Sequence, residues 1–474
     1  MGLVLVDNQK VNEAEGAYPL LPHERTWSSR TLFLVSISTS VATWCFLIGG
    51  YIGNYLNAKM GVAALTAGMM IGMLLVSLAV IPATAKYGID SVTSTKPLFG
   101  NRGWIIALLL QYLSVIGWNS ILLIFFAKAA ARMLIITGII SESQSSMLIS
   151  SLAIAAVITI WLLLKSGSKA VKNISAIIAI LIILVGIWML YMMVNKFGFQ
   201  AIAAAQPPYA SHSTIWNYTT GIEIGLVSLI AWWPYVGGIV RIVPKASQTT
   251  LPSMLGLGFP VAVMSTIGLL SVLLIGVPDP TIWMIELGGM IYGSIVLAFI
   301  AFANFGSAVI GVYISCIGLR NLTIMQKQSW NTVTLLTLVP ICFVSVMIPD
   351  LFFAKFGHFL TLLGVFFAPL IGIQIIDYFV FRKKQLSMKD LYDSSSSSVY
   401  TFWKGWNPAS LISLTCGFAT YFYLLNPLTY GSNTPYQYTT ATLPSMAVGA
   451  LVYWIITRFV VIPLGRGGYK SKQH

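Results

Sequence analysis

Two stretches of the chain, ATWCFLIGGYIG at residues 42–53 and IAWWPYVGGIVR at residues 230–241, combine a long apolar run with residues that weaken a helix. The first contains the pair Gly49-Gly50, and the second contains Pro234 followed by another glycine pair. Proline removes a helical hydrogen bond, and glycine weakens a helix by about 1 kcal/mol relative to alanine. We therefore expect a helix interruption within each stretch.

The rest of the chain is equally apolar: of its 474 residues, 57% are hydrophobic and only 8% are charged. Soluble proteins carry about 25% charged residues, and disordered proteins combine low hydrophobicity with high charge. Both classes are therefore excluded. Since a membrane crossing needs about 20 apolar residues, the composition predicts an all-α, polytopic membrane protein embedded in the lipid bilayer.

Apolar runs predict twelve transmembrane helices. They lie at 32–55, 62–84, 104–127, 147–165, 171–194, 219–240, 251–277, 288–318, 332–348, 357–381, 408–425 and 441–463. With the N-terminus inside, 22 of the 27 lysines and arginines face the cytoplasm. Because these residues accumulate in cytoplasmic loops, we predict a multi-pass protein of the cell membrane with both termini cytoplasmic. The same rule explains the formal charge of +14 without a nucleic acid partner.

The two interrupted spans are the first helices of two five-helix halves. Corresponding breaks are a strong sequence indication of an inverted-repeat transporter, because ions or substrate can satisfy the backbone groups that a break frees. The sequence contains no metal-binding cluster, phosphate-binding loop or nucleophile triad. We therefore expect neither an enzyme nor a cofactor, and an ion gradient or the substrate's own gradient would supply the energy.

Large aromatic residues converge on the predicted breaks. They are Trp44 and Phe46 beside the first break, Trp232, Trp233 and Tyr235 beside the second, and Trp118 midway along span three, next to Asn119. Tryptophan normally favours membrane interfaces, so mid-span tryptophans need another reason. Any one of them could simply pack in the helix bundle, whereas the set favours stacking against a flat ring.

Span eight carries polar and small residues on one turn. Ala303, Gly306 and Ser307 share a helical turn, and the Ser307 hydroxyl could bind a small cation such as Na⁺. Asn304 could bind a polar ligand or join two helices, which is the commoner use of such residues. Among the few acids inside spans, Glu223 is a candidate for proton coupling, because intramembrane acids are often functional.

Four segments resemble the nucleobase–cation–symport-1 transporters, which carry cytosine, purines, uracil, allantoin, hydantoins and some vitamin precursors. They are KYGIDSVTSTKPLFGNRG (86–103), WWPYVGGIVRIVP (232–244), LLGVFFAPLIGIQIIDYFVFRKKQLSMKDLY (362–392) and, more loosely, ATWCFLIGG (42–50). The second matches a family pattern at Trp232, Pro234, Tyr235 and Arg241. The third, the most specific, has Gly364, Pro369, Gly372, Asp377, Tyr378, Arg382 and Tyr392 in family spacing.

Three positions depart from the family pattern. Gly238 stands where the family usually has an aspartate, so a charge pairing with Arg241 is lost. Leu122 occupies the position at which many members grip the ring with a glutamine. In sodium-coupled members two adjacent hydroxyls help to bind the cation, but here they become Gly306 and Ser307. Coupling to Na⁺, coupling to H⁺ and uniport therefore all stay open.

The resemblance implies a five-plus-five inverted repeat of the leucine-transporter type with two extra C-terminal helices. The predicted units are a cytoplasmic N-terminal tail (1–31), the first repeat (32–194), the second repeat (219–381), a cytoplasmic loop (382–407), the extra helices (408–463) and a cytoplasmic tail (464–474). We interpret the serine run Ser394–Ser398 in the loop as a flexible linker.

In that fold the substrate lies between spans one, three, six and eight. We expect Trp118 and Trp232 to stack on a planar heterocycle. Hydrogen bonds would come from Asn119 and Asn304, helped by backbone groups around Gly49 and Tyr235, and Phe46 is a further candidate for the binding site. A cation would bind at Ala303 and Ser307. The predicted function is therefore secondary active import of a nucleobase-type heterocycle by alternating access.

Two other classes of function remain as alternatives. An amino-acid or amine transporter of the same fold would recognise a carboxylate through helix-end dipoles and would lack the aromatic faces. A channel would need a polar ring lining a pore, and an enzyme would need a buried acid, base or metal constellation. The family signature in span ten speaks against an amino-acid or amine transporter. The sequence shows neither the polar ring of a channel nor the buried constellation of an enzyme. The sequence leaves the oligomeric state open.

Overall fold

The computed structural model describes residues 18–165, 168–210, 213–393, 395 and 397–469. Within them the regular structure is helical. The α-helices are α1 Ser29–Ser40, α2 Thr43–Gly53, α3 Ala58–Tyr87, α4 Lys96–Gly103, α5 Ile105–Ile136, α6 Ser145–Leu164, α7 Ser168–Ala204, α8 Thr214–Ile230, α9 Trp233–Val240, α10 Thr250–Leu257, α11 Phe259–Ile275, α12 Pro280–Leu319, α13 Thr323–Gln326, α14 Trp330–Met347, α15 Pro349–Ala354, α16 Phe356–Ile375, α17 Met388–Tyr392, α18 Pro408–Leu424, α19 Tyr436–Thr439 and α20 Thr442–Ile456.

Most of these helices suit a bilayer. Among the described residues, nine helices are long and apolar enough to cross a membrane, and each of the two bent pairs, α1–α2 and α8–α9, raises that number by one. The 17-residue α18 packs between α16 and α20. Apolar side chains such as Leu113 and Ile158 cover the outer surface, as lipid contact requires. The all-α membrane fold is confirmed, and the count of twelve spans stays a prediction.

Helix packing follows an inverted repeat. The first broken span packs against the seventh through α2 and α11, and the sixth packs against the second through α8 and α3. If span one is matched with span six and span two with span seven, the first contact corresponds to the second. The third and eighth spans, α5 and α12, also pack together. Both broken spans therefore lie inside a bundle whose helices come from both halves.

Both of the expected spans are interrupted, but the breaks do not lie at the glycine pairs. The first span bends by 60° at Val41 and Ala42, eight residues before Gly49. The second bends by 41° at Ala231 and Trp232, so Pro234 lies just after the break, in the first turn of α9. Proline is favoured there because its missing N–H has no helical acceptor in the first turn.

The pair Gly49-Gly50 instead belongs to the interior of α2. A Cβ on Gly49 would lie 1.7 Å from the backbone oxygen of Ser265 in α11. A Cβ on Gly268 would lie 2.0 Å from the backbone oxygen of Phe46. Small residues let membrane helices approach closely. The glycines thus bring α2 against α11 and do not interrupt the helix.

Residues 88–103 and much of 382–407 cover the N-terminal face of the bundle, which we define as the face that carries Arg25 and Lys96. The amides of Arg102 and Gly103 both donate to the Gly405 oxygen, at 2.9 and 3.0 Å. Burial lowers the pKa of Lys96 to about 8. In the serine run, Ser394 and Ser396 lie outside the described residues. The parts of this loop that are described are folded against α4.

Candidate functional site

The two breaks meet beside α12. The Asn304 Oδ1 accepts from the Thr43 amide at 2.8 Å, and its Nδ2 donates to the Thr43 Oγ1 at 2.5 Å. The first N–H groups of a helix have no intrahelical partner. Asn304 therefore caps the start of α2 from another helix. This contact fixes the first turn of α2, and Trp44 with it.

A small cavity lies between the breaks. Its lining residues are Thr39, Trp44, Trp118, Leu122, Ala231, Trp232, Tyr235 and Ser307. They come from spans one, three, six and eight. The cavity measures about 20 Å³, and a water molecule needs roughly 10–15 Å³ by this kind of measure. The site is therefore contracted, and a ring enters only if its walls separate.

Aromatic rings form most of the cavity wall. The Trp44 ring meets the Trp118 ring edge to face, with centroids 5.0 Å apart and planes at 67°. The Trp232 ring lies 6.4 Å from Trp44 and 5.1 Å from Tyr235. Edge-to-face pairs add about 0.5–1.5 kcal/mol beyond burial. A flat ligand could replace these ring–ring contacts with contacts to its own faces.

The start of α16 closes the cavity on the side away from the N-terminal face. Phe356 and Phe359 contact the Trp118 ring, at centroid distances of 5.4 and 6.2 Å. Phe356 is fully buried. Access from this side would require these side chains to move away from Trp118.

Few polar atoms are free near the cavity. The buried Trp118 Nε1 has no hydrogen-bond partner in the described part of the chain. Asn119 Nδ2 donates to the Val115 oxygen at 2.7 Å. A buried polar atom without a partner costs about 1–3 kcal/mol. The Trp118 Nε1 donor is therefore available to a polar ligand or to water.

The structure brings together four of the residues that the sequence nominated. Trp118, Trp232, Tyr235 and Ser307 line the cavity. The nominated residues outside the lining are Asn119, Asn304, Ala303, Phe46 and Gly49. Asn119 lies against Gly311 of α12, and Asn304 is occupied by Thr43.

Phe46 and Gly49 lie on another face of α2. The Phe46 ring packs edge to face on Trp283, 5.5 Å away, while Gly49 touches the backbone of α11. Thr39, Leu122 and Ala231 line the cavity without having been nominated, and so does Trp44, which the sequence analysis placed among the converging aromatic residues but not among the binding residues. The position of the first break would have identified Trp44, since that residue lies in the first turn after it.

The candidate cation position offers few oxygens. The Ser307 Oγ donates to the carbonyl oxygens of Thr39 and Ser38, at 3.1 and 3.4 Å. Gly306 adds no hydroxyl. No group of three or more His, Cys, Asp or Glu side chains that could hold a metal occurs in the described ranges. The hydroxyl ties α12 to the end of α1 and keeps its lone pairs, so with the two carbonyl oxygens it forms an oxygen set for Na⁺ that lacks only a second hydroxyl.

The lost aspartate has a visible consequence at Arg241. This side chain is 1% exposed, and its Nε and Nη2 atoms have no hydrogen-bond partner among the residues described. A Cβ on Gly238 would lie 3.2 Å from the Ile314 Cγ1 atom, so position 238 faces an apolar side chain. The expected absence of a charge pair between positions 238 and 241 therefore leaves a buried cation on the N-terminal face.

These features define an inverted-repeat secondary transporter with a central site between two broken spans. The chain belongs to the family described as "Permease for cytosine/purines, uracil, thiamine, allantoin", whose profile matches residues 19–456. The family resemblance inferred from the sequence motifs is thereby confirmed.

Two curated relatives cover most of the chain. One is a purine-uracil permease of Arabidopsis thaliana, 23% identical, with 92% of this chain and 76% of that protein aligned. The other is a hydantoin permease of Microbacterium maritypicum, 22% identical, with 84% and 82% aligned. Both relatives are permeases.

Solved structures show the same fold. Mhp1, a nucleobase-cation-symport-1 family transporter, in a closed conformation with bromovinylhydantoin bound, superimposes with a TM-score of 0.78 at 19% identity, over 94% of this chain and 96% of that one. An inward-facing conformation of Mhp1 gives 0.75 at 18% identity, over 93% of each chain. The leucine-transporter-type fold is confirmed.

Proposed function

We propose that this protein carries a planar heterocycle of the nucleobase type across the membrane by alternating access. The observation that carries the proposal is the convergence of Trp44, Trp118, Trp232 and Tyr235 on one cavity between the two breaks. Faces of aromatic rings suit a flat ring ligand. The purine-uracil and hydantoin permeases among the relatives support this class of substrate.

In this proposal the ring enters beside Trp118 and Trp232 when the start of α16 moves away. The Trp118 Nε1 donor and the hydroxyls of Thr39 and Tyr235 supply the hydrogen bonds. Leu122 makes one edge of the cavity apolar. A site that pairs a few polar atoms rejects analogues that leave them unpaired, by about 1–3 kcal/mol per atom.

We infer that coupling does not use sodium at the span-eight position. The oxygens at that position are the Ser307 hydroxyl and the Thr39 and Ser38 carbonyls, and the neighbouring Gly306 lacks a second hydroxyl. Small cations prefer several oxygen ligands, as calcium and magnesium sites show. Proton coupling or transport down the substrate gradient remain as the two routes for energy.

The test is a thermal-shift panel on the purified protein. It covers cytosine, uracil, hypoxanthine, guanine, allantoin, benzylhydantoin, a thiamine pyrimidine precursor and a set of amino acids, each in sodium or choline. A ligand that binds only the folded state raises apparent stability by RT ln(1 + [L]/Kd). We expect a heterocycle to stabilise the protein equally in both salts. A response to amino acids alone would overturn the proposal.

The site itself is tested by Trp118→Ala. We expect uptake into proteoliposomes to fall by about fivefold to 150-fold, because aromatic stacking on a base contributes about 1–3 kcal/mol. The matched control is Trp454→Ala, which removes a tryptophan that is 37% exposed on α20. Uptake that survives Trp118→Ala but not Trp454→Ala would place the site elsewhere.

A further inference from the structure

A second, larger cavity lies beyond the start of α16, on the side away from the N-terminal face. Its walls come from the end of α2, the first half of α8, the start of α16, and the segment joining α18 to α20. It measures about 290 Å³, against about 20 Å³ for the central cavity. Small-molecule pockets begin at about 300 Å³, so this space suits a single small ring.

Seven aromatic side chains line this outer cavity. They are Tyr51, Tyr55, Trp216, His358, Tyr421, Tyr430 and Tyr436. The His358 and Tyr430 rings are stacked, 4.6 Å apart and 10° from parallel. The Tyr55 and Trp216 rings meet edge to face at 5.9 Å. The cavity therefore offers flat faces in two orientations.

A single carboxylate gives the outer cavity its charge. Glu223 is 2% exposed. Its Oε1 accepts from the hydroxyls of Tyr421 and Thr442, at 2.7 and 2.8 Å, and its Oε2 accepts from the amides of Ala441 and Thr442, both at 3.1 Å. Because both oxygens already accept hydrogen bonds, Glu223 acts on a ligand through its negative potential. Hydrogen bonds to a ligand would come from neighbouring residues.

Uncharged polar groups complete the lining. The side chains of Asn54, Thr220 and Thr361 reach the outer cavity. Carbonyl, amide and hydroxyl groups of this kind pair with the edges of a heterocycle. A negative potential favours a ligand edge that is rich in N–H groups over one that is rich in carbonyl oxygens.

One layer of side chains separates the two cavities. Leu360 and Val227 line the outer cavity and are themselves buried. On the same helix as Leu360, Phe356 and Phe359 contact Trp118 of the central cavity. The two cavities are therefore distinct spaces: α8 and α16 line the outer one, and α16 reaches the central one only through the contacts of Phe356 and Phe359 with Trp118.

We propose that the outer cavity is a second binding site, which holds a planar heterocycle with an N–H-rich edge before it reaches the central cavity. This inference rests on the proposed function for its class of ligand. The ring lies between the aromatic faces, and its N–H edge points toward the negative potential of Glu223. Because the ligand contacts α2, α8 and α16 together, it bridges the elements that must separate for entry.

The test is the binding stoichiometry of the full chain in lipid nanodiscs. Equilibrium dialysis with radiolabelled uracil, hypoxanthine and benzylhydantoin measures the ligand bound per protein. We expect two molecules per wild-type chain for the probe that binds. We expect one for Tyr430→Ala, which loses the outer site, and one for Trp118→Ala, which loses the central site but keeps the outer one.

Matched controls separate the outer site from general damage. Tyr430→Phe retains the ring and should still bind two molecules. Tyr438→Ala removes a neighbouring tyrosine that is 67% exposed and outside the lining, and should also leave two. Because Tyr430 is 44% exposed, its truncation leaves the core intact.

Each outcome has a definite meaning. One molecule per wild-type chain, lost in Trp118→Ala, overturns the second site and leaves the proposed function standing. Two molecules that both survive Tyr430→Ala overturn the location. No binding of any probe to the wild type overturns the proposed function and this inference together.

Discussion

Asn304 and Ser307 lie one turn apart on α12, and each holds one side of the first break. Asn304 caps Thr43 at the start of α2, and Ser307 donates to the Thr39 carbonyl at the end of α1. Polar side chains inside a bundle commonly join helices in this way. Their positions explain how a break without glycine or proline keeps a fixed geometry.

The role of Ser307 gives a prediction about sodium. We expect less than a twofold difference in substrate Kd between sodium and choline, because Gly306 adds no second hydroxyl to the oxygens around Ser307. Isothermal titration in the two salts measures this. A clear sodium effect in the parent protein that vanishes in Ser307→Ala would contradict the prediction and establish a cation site.

The neighbouring glycines 49 and 50 give a matched pair of substitutions. Gly49→Ala places a Cβ 1.7 Å from a backbone atom of α11, whereas the nearest atom to a Cβ on Gly50 belongs to the Val272 side chain, at 3.1 Å, and the nearest backbone atom is 3.9 Å away. Overpacking costs about 1–3 kcal/mol, and a backbone atom yields less than a side chain. We expect Gly49→Ala to lower Tm markedly and Gly50→Ala to change it little. Similar shifts would show that the α2–α11 contact is not tight.

At the scale of elements, a buried ion pair joins the end of α16 to the C-terminal segment. Arg382 Nε donates to Asp377 Oδ2 at 2.6 Å, and Tyr453 and Tyr469 donate to Oδ1 at 2.7 and 2.8 Å. Arg382 also donates to the backbone oxygens of Pro97 and Gly467. One pair therefore links four separate segments on the N-terminal face.

Neutralising this pair should destabilise the protein. Asp377→Asn leaves Arg382 buried without its counter-charge, which costs about 3–5 kcal/mol. The control is Glu142→Gln, since the Glu142 side chain is 82% exposed and lies 3.8 Å from Arg132; exposed pairs contribute about 0–1 kcal/mol. We expect a clear fall in Tm only for Asp377→Asn. Equal Tm values for the two variants would contradict this role.

The order of the membrane helices could be predicted from the sequence, whereas the exact positions of the breaks could not. Long apolar runs indicated the order of the membrane helices, since each crossing needs a run of fixed length. The breaks could not be located, because a glycine pair is typical both of an interruption and of close helix contact. The actual break at Val41 and Ala42 is held by Asn304, 261 residues after Thr43. No local pattern reports such a contact.

For the same reason, the residues of the candidate site could be predicted only in part. Trp118, Trp232 and Tyr235 could be nominated because Trp and Tyr normally favour membrane interfaces, so they are unusual in the middle of a span. This argument does not depend on which way each side chain faces. Trp44 and Phe46 were both placed beside the first break, and only the start of α2 at Thr43 shows that Trp44 faces the cavity while Phe46 packs on Trp283. The outer cavity had no sequence signature, since its aromatic residues come from four distant segments.

For the whole molecule, the two cavities are arranged in series. The outer cavity, the α16 layer and the central cavity follow one another from the far face toward the N-terminal face. We propose that the far face is extracellular, because most lysines and arginines belong to segments that the predicted topology places on the N-terminal side. Import would then proceed from the larger cavity to the smaller one.

Cysteine labelling in intact cells tests this orientation. Tyr438→Cys lies on the far face and is 67% exposed, and Lys389→Cys lies in α17 on the N-terminal face. The native Cys45 and Cys316 are buried, and the unsubstituted protein controls for the other two cysteines. With a membrane-impermeant maleimide we expect Tyr438→Cys to react at once and Lys389→Cys only after permeabilisation. The reverse pattern would invert the topology and make the outer cavity the exit of the transport path.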